Sequence, residues 1–365
     1  MTRQTGILAD GAIRALFAAG RLKSEAALDI DQVQPASLDL RLGSKAYRVR
    51  ASFMPGPGHL VADKLARLKL HEIDLADGAV LETGCVYIVP LMESLDLPAE
   101  MSASANPKSS TGRLDIFTRV MTDRAQEFDK IPAGYNGPLY LEISPRTFPI
   151  VVRRGSRLSQ IRFRIGHALL NDTDLLSLHD NETLVASEAP NVSNGGIAVS
   201  IDLEGTGPDG LIGYRGKHHT AVIDVDAKAA HDVLDFWEPL YSRGRAELIL
   251  DPDEFYILVS REAVHVPPLY AAEMTPYDTL VGEFRVHYAG FFDPGFGHAD
   301  AGGAGAKAVL EVRSHEVPFI LEHAQIVGRL VYEHMLDRPQ GLYGTGLGSN
   351  YQAQGLKLSK HFRLP

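Results

Sequence analysis

Four clusters in this 365-residue chain combine residue types that could bind or transform a polar small molecule. Lys108-Ser109-Ser110-Thr111-Gly112-Arg113 sets two adjacent hydroxyls between two cations. Hydroxyls donate to phosphate oxygens, and a guanidinium adds paired, charge-assisted bonds. The same run could instead open a helix, with its charges in water. In Ala289-Gly290-Phe291-Phe292-Asp293-Pro294-Gly295-Phe296-Gly297, Asp-Pro-Gly is a turn. Its phenylalanines could wall a base and Asp293 could accept from a sugar hydroxyl; the plainer alternative is a hairpin turn over core aromatics. Val309-Leu310-Glu311 places a carboxylate inside an apolar strand. Aimed into a cavity, that carboxylate would lose solvation, rise in pKa and suit proton transfer. An outward-facing Glu on an alternating strand is the commoner arrangement. The tail from Tyr343 to Gly355 is rich in glycine and carries Tyr343, Tyr351 and Gln354. It could order over a ligand or simply fray.

Composition narrows the classes. Apolar residues at 45% and charged residues at 22% are ordinary for a globular chain. A net charge of -10 with no basic block disfavours a nucleic-acid groove. Cys85 is the single cysteine, which suits a reducing, cytoplasmic compartment. It also lacks the Cys-x-x-Cys partner that a zinc deaminase needs, and His71-Glu72 and His315-Glu316 lack the second His of a zinc helix. No protein metal cage is therefore expected. The N-terminus reads as a helix from Asp10, as N-cap, to Gly20, rather than as a signal peptide. No apolar run reaches membrane-spanning length.

An internal repeat must position the clusters. Tyr87-Ile88 and Tyr256-Ile257, Glu93 and Glu262, Pro98 and Pro267, Leu141-Glu142 and Leu310-Glu311, and Pro149 and Pro318 all match at one offset of 169 residues. Ser37-Leu38-Asp39-Leu40 recurs as Ser200-Ile201-Asp202-Leu203 at 163, which implies an insertion of about six residues between them. The Asn- and Gly-rich stretch at 188–196 reads as a linker. Two domains follow, 1–188 and 194–365. Short β-branched and aromatic runs bounded by Pro, Gly and Asp predict strands in both, as in a barrel or sandwich. The predicted pairs are 84–91 and 254–260, 137–144 and 307–314, 148–154 and 318–324, and 159–165 and 328–335. A helix is predicted after Asp226, and residues 297–308 read as a flexible loop.

Taken together, the segments resemble the dCTP deaminase family of the trimeric dUTPase superfamily. Its S-x-D-x-R-L-G segment is matched by Ser37 to Gly43, and its R-S-S-x-x-R segment by Lys108 to Arg113, with Lys for the first Arg. Its A-x-x-x-D-P-G turn is matched by Ala289 to Gly295, its V-L-E strand by Val309 to Glu311, and its tail by Tyr343, Tyr351 and Gln354. The motifs are divided. The first repeat has Pro132 where the family turn has Asp, and the second lacks Ser-Ser and Arg around Pro276 to Gly282. Asn350 stands in place of the family's tail Lys, with Lys357 and Lys360 as candidate substitutes.

The resemblance implies a mainly β fold of two dUTPase-like β-barrel (β-clip) domains with a few helices. It implies hydrolysis of dCTP to dUTP and ammonia at one composite site, without zinc. Glu311 would be the general base, Ser109 and the Ala289 carbonyl would hold the water, and Arg113 would stabilise charge. Lys108, Ser110, Asp293, Val309, Leu310, Tyr343, Tyr351 and Gln354 would bind the substrate, and Mg²⁺ would ride on its triphosphate. It further implies dTTP as a candidate inhibitor and a homo-oligomer, trimeric or hexamer-like in its domains. A dUTPase or bifunctional deaminase–diphosphatase, and a non-catalytic nucleotide binder, are the alternatives; Glu142 occupies the place of Glu311 in the first repeat.

Overall fold

The 169-residue offset reappears as strand register. In the first repeat Asn136–Pro145 lies between Val86–Asp96 and Ile116–Thr122, with Glu142 opposite Ile88. In the second, Ala306–Ser314 lies between Phe255–Val264 and Phe284–Val286, with Glu311 opposite Ile257. A second sheet repeats too: Met101 opposes Ile165 and Tyr270 opposes His334, in the pairs Met101–Pro107 with Arg157–Ile165 and Tyr270–Pro276 with Ile326–His334. The computed structural model describes residues 4–187, 189–276, 284–286, 290–314, 316–344, 351 and 355–363. Within them the chain is mainly β, and no helix is long and apolar enough to cross a membrane.

Each repeat has its own apolar core. Leu141, Ile143, Phe163 and Ile161 belong to the first; Leu310, Val312, Leu330 and Tyr332 belong to the second. The chain enters the second core at Leu170, ahead of the Asn- and Gly-rich stretch, because helix Asp172–Asn181 sends Leu175 into it. The first core extends across the joint. Trp237, fully buried, packs edge-on against Phe148 of the first repeat at 5.2 Å between centroids, and also meets Phe255 and Phe362. Such offset and edge contacts are the preferred aromatic geometry.

The second repeat also lends a strand. Ile223–Asp224 runs parallel to Ile150–Val152 and completes a three-stranded sheet with Ala79–Leu81. Arg153 pins this segment through Asp224 at 2.8 Å and Asp226 at 3.5 Å.

Local readings differ in three places. The first helix runs Asp10–Ala18, so Asp10 is its first residue and Ala9 its N-cap. The Asp10 carboxylate is shared: it accepts from the Gly11 amide of its own helix at 2.8 Å and from the amides of Gln340 at 2.9 Å and Gly341 at 3.2 Å, in the second repeat. The helix after Asp226 is only the short Val233–Phe236, because Ala229, Ala230 and His231 donate their amides to the carbonyls of Lys360 and His361 instead. Residues 297–305 form a packed turn rather than a loose loop. Gly305 donates to Gly297 at 2.9 Å, Ala299–Ala301 is a 3₁₀ turn, and His298 meets Glu182 at 3.1 Å.

Candidate active site

The Glu311 strand shows why an outward carboxylate became a buried one. Strand side chains alternate between faces. Leu310 and Val312 enter the second core, whereas Val309 joins the first. Glu311 and Arg313 share the Val309 face, which is the joint between repeats. Arg313 is bonded there to Asp115 and, at 3.2 Å, to Thr147. Glu311 is thereby closed off from solvent at 6% exposure and opens instead onto a cavity of about 410 Å³.

The opposite wall comes from the first repeat. Strand Met101–Pro107 ends at Lys108, and Ser109–Gly112 makes one short helical turn whose amides return to Lys108 and Ser109. That turn carries Arg113 inward, 3% exposed, with its Nε 3.9 Å from Glu311 Oε1. The guanidinium stacks on the Tyr351 ring, 3.9 Å from its centroid, and donates to the Lys357 carbonyl at 2.9 Å. Burial raises the Glu311 carboxyl from 4.5 to about 7; Arg113 opposes that rise. A carboxylate at such a value can both take and return a proton near neutrality.

The remaining candidates sort by position. Lys108, Ser109, Ser110, Asp293, Val309, Tyr343 and Tyr351 all line the cavity with Arg113 and Glu311. The Leu310 side chain does not reach it, being buried in the second core. Ala289, Gln354 and Asn350 lie outside the described residues, as does most of the segment Pro276 to Gly282. Ser109 nevertheless faces the start of the Asp293 turn, since its Oγ is 4.0 Å from where a side chain on Gly290 would begin. Lys108 is ion-paired with Asp39, which Arg157 approaches at 3.6 Å. Lys360 reaches the same end of the cavity, its amine lowered to about 8 by burial and by Lys108 and Lys228.

The aromatic wall is built by the turn. Phe292 meets Phe296 edge-on at 5.0 Å, and Phe296 meets Tyr343 at 5.6 Å. Gly295 has φ +97°, and a Cβ there would fall 2.8 Å from Leu342 Cβ and 3.0 Å from the Tyr343 nitrogen. We expect Gly295→Ala to cost about 1–3 kcal/mol through backbone strain and to displace Tyr343. Thermal melting and ligand affinity should both fall.

Sequence reasoning missed Arg162. It lies on Arg157–Ile165 of the first repeat, fully buried, and crosses the joint. It donates to Asp293 at 3.2 Å and to the Ala272 carbonyl at 3.2 Å, stacks on Phe291 at 4.0 Å, and lies 3.8 Å from Glu333. Burial still raises the Asp293 carboxyl, against the pull of Arg162. The signal was present in Ile161-Arg162-Phe163-Arg164, two arginines on one face of an apolar strand.

Glu142 sits differently from its counterpart. Arg119, directly across the strand pair, donates to it at 3.0 Å and stacks on Phe128. Its charge is answered within its own sheet rather than across a cavity.

Comparison with known proteins matches the chain in two parts that meet between residues 167 and 171. Residues 4–167 match the family model for the 2'-deoxycytidine 5'-triphosphate deaminase N-terminal domain, and residues 171–362 match that for its C-terminal domain. A protein of Halorubrum lacusprofundi named dCTP deaminase is 31% identical over 161 residues, 43% of this chain and 76% of its own length. One of Beutenbergia cavernae named "dCTP deaminase, dUMP-forming" is 29% identical over 158 residues, 43% of this chain and 78% of its own. The crystal structure of 2'-deoxycytidine 5'-triphosphate deaminase from Agrobacterium tumefaciens is 85% identical, with a TM-score of 0.91, covering 95% of this chain and all of that one.

Proposed function

This chain belongs to the dCTP deaminase family, and from that premise we propose that it hydrolyses dCTP to dUTP and ammonia with Glu311 as general base. The observation that carries the reading is the meeting of Arg113 and Glu311, from opposite repeats, at the wall of one cavity.

In this mechanism Glu311 takes a proton from a water as its oxygen attacks C4 of the cytosine. The C4–amine bond then breaks, the proton held by Glu311 leaves on ammonia, and the second water proton ends on N3 as the C4 carbonyl forms. A positioned base of this kind typically supplies about 10²–10⁴ in rate. The rest comes from placement and charge stabilisation. Ser109 and, by resemblance, the Ala289 carbonyl hold the water. Arg113 keeps Glu311 from rising further and answers charge at the reacting end. Asp293, held by Arg162, accepts from the sugar, while Phe292, Phe296 and Tyr343 wall the base.

Lys108, Ser110 and Lys360 meet the triphosphate. Magnesium would neutralise phosphate charge there. Asp31, Asp39 and Asp226 each already have a cationic partner, so the ion's ligands would be phosphate oxygens and water, its common arrangement.

Two pKa values set a pH window. Glu311 acts as a base only when ionised, so kcat/KM should rise with pH through about 7. Lys360 attracts phosphate only when protonated, so it should fall above about 8. A pH–rate profile checks this, and Lys360→Met should remove the alkaline limb alone.

The decisive assay measures ammonia, uracil nucleotide and pyrophosphate from dCTP, dCMP, CTP and dUTP, with and without Mg²⁺, and with dTTP as competitor. Ammonia and dUTP from dCTP support the proposal. Because the Beutenbergia relative is named dUMP-forming, dUMP with pyrophosphate would make the chain bifunctional. Nucleotide binding with no product would overturn catalysis.

A further inference from the structure

Beyond the motifs, the last turn of the chain makes a buried connection back to the reacting end. Ser359 Oγ lies 2.9 Å from the Ser110 carbonyl and 2.8 Å from His361 Nδ1. His361 Nε2 lies 2.9 Å from the carbonyl of Val225. Ser359 and His361 are each 2% exposed. Two residues earlier, the Lys357 carbonyl accepts from Arg113, and the Lys360 amide donates to the Tyr351 hydroxyl at 3.2 Å. Thus residues 357–361 grip the phosphate-loop side of the cavity with one edge and the Ile223–Val225 strap with the other.

We infer that Ser359 and His361 are positioning residues: they clamp the chain end onto the Ser110 turn and so aim Arg113 at Glu311. The inference rests on the proposed deamination.

The proton count shows how tightly the pair is constrained. Burial holds His361 well below its ordinary value, at about 4, so the ring is neutral with one N–H. The Val225 carbonyl can only accept, which fixes that N–H on Nε2. Nδ1 is then an acceptor, and the single hydroxyl proton of Ser359 is shared between Nδ1 and the Ser110 carbonyl. Neither side chain has a spare proton to donate, and neither lines the cavity where substrate would sit. What they hold is backbone: the Ser110 carbonyl on one side and, through the intervening residues, the Lys357 carbonyl that fixes Arg113. Among the described residues Arg113 Nε has no hydrogen-bond partner, and it faces Glu311. Its direction therefore depends on the Lys357 carbonyl, within that segment, and on the Tyr351 ring, whose hydroxyl accepts from the Lys360 amide.

A simple structural anchor and a positioning device predict different results. Arg113 opposes the burial that raises Glu311, so an Arg113 that drifts should let Glu311 rise further. In the full-length protein, Ser359→Ala and His361→Ala are expected to lower kcat for dCTP tenfold or more with little change in KM. The acid limb of kcat/KM should shift to higher pH. His361→Asn, whose amide can still meet Ser359, should recover much of both. Carbon-13 carboxyl titration of Glu311, assigned by its loss in Glu311→Gln, reads the same shift without turnover. It also covers the case in which Ser359→Ala fails to fold, since His361→Asn and His361→Ala can be compared directly. Variants that melt earlier but keep both the acid limb and the Glu311 titration in place would overturn the inference, leaving an anchor only. A native protein that releases no ammonia from dCTP would overturn the proposed function instead, and the Glu311 titration would still decide the clamp.

Discussion

Glu311→Gln is expected to reduce deamination by about 10²–10⁴-fold, the contribution of a positioned base, while dCTP still binds. Gln keeps the shape of the side chain and its place on the strand but cannot hold a transferable proton at neutral pH. Stopped turnover with retained binding, read by ammonia release and by calorimetric titration, is the expected pair. Full activity would remove Glu311 from the mechanism. The same substitution has a second consequence. The folded carboxyl is raised from 4.5 to about 7, so the folded state binds its proton more tightly than the unfolded one. Its contribution is fully present below about 4.5 and is lost as pH rises through about 7. Ionising it in the fold therefore costs roughly 3 kcal/mol above neutrality. Glu311→Gln should accordingly melt higher than the native protein at pH 8, with the difference disappearing below pH 5.

Arg162→Met should be the most damaging single change to stability. It deletes a fully buried guanidinium and leaves Asp293 and Glu333, both of the second repeat, with less cation between them. Removing one partner of a buried pair typically costs about 3–5 kcal/mol. The Asp293 carboxyl, already raised by burial, should go higher still, and with the Arg162 bond that orients it gone, affinity for the deoxyribose should fall as well. Arg162→Lys should rescue little, because one ammonium cannot stack on Phe291 while reaching both Asp293 and the Ala272 carbonyl. Adding Asp293→Asn to Arg162→Met should restore part of the thermal stability but not the activity. Equal melting temperatures for Arg162→Met and the native protein would refute the account.

The repeat was legible because strand register depends on local pattern. The offset that aligns Tyr87 with Tyr256 also aligns Ile88 opposite Glu142 with Ile257 opposite Glu311. The split motifs were legible for the same reason, being contiguous in sequence. What remained hidden depends on contacts between repeats. Alternation showed that Glu311 shares a face with Val309 and Arg313, but not that this face would meet Asp115 and Thr147 rather than water. Arg162 showed a polar residue in an apolar strand without naming Asp293. Asp10 had the chemistry of an N-cap, yet it is the first helical residue, and its carboxylate also accepts from the amides of Gln340 and Gly341, some 330 positions away. The expected helix after Asp226 was shortened likewise to Val233–Phe236, because residues 229–231 found backbone partners at the chain end.

The borrowed strand Ile223–Asp224 bears on how the molecule comes apart. The chain matches two family models, which suggests two separable pieces. Yet the first repeat's small sheet is finished by residues that belong to the second, and Arg153 answers its charge there. A fragment ending near residue 168 would expose the bare edge of Ile150–Val152 and strip one side of Phe148. A fragment beginning there would lose the surface on which Trp237 rests. Neither piece is a finished globule, so severing the linker does not yield two smaller proteins: the loss of either repeat's order withdraws support from the other, and unfolding becomes a shared event.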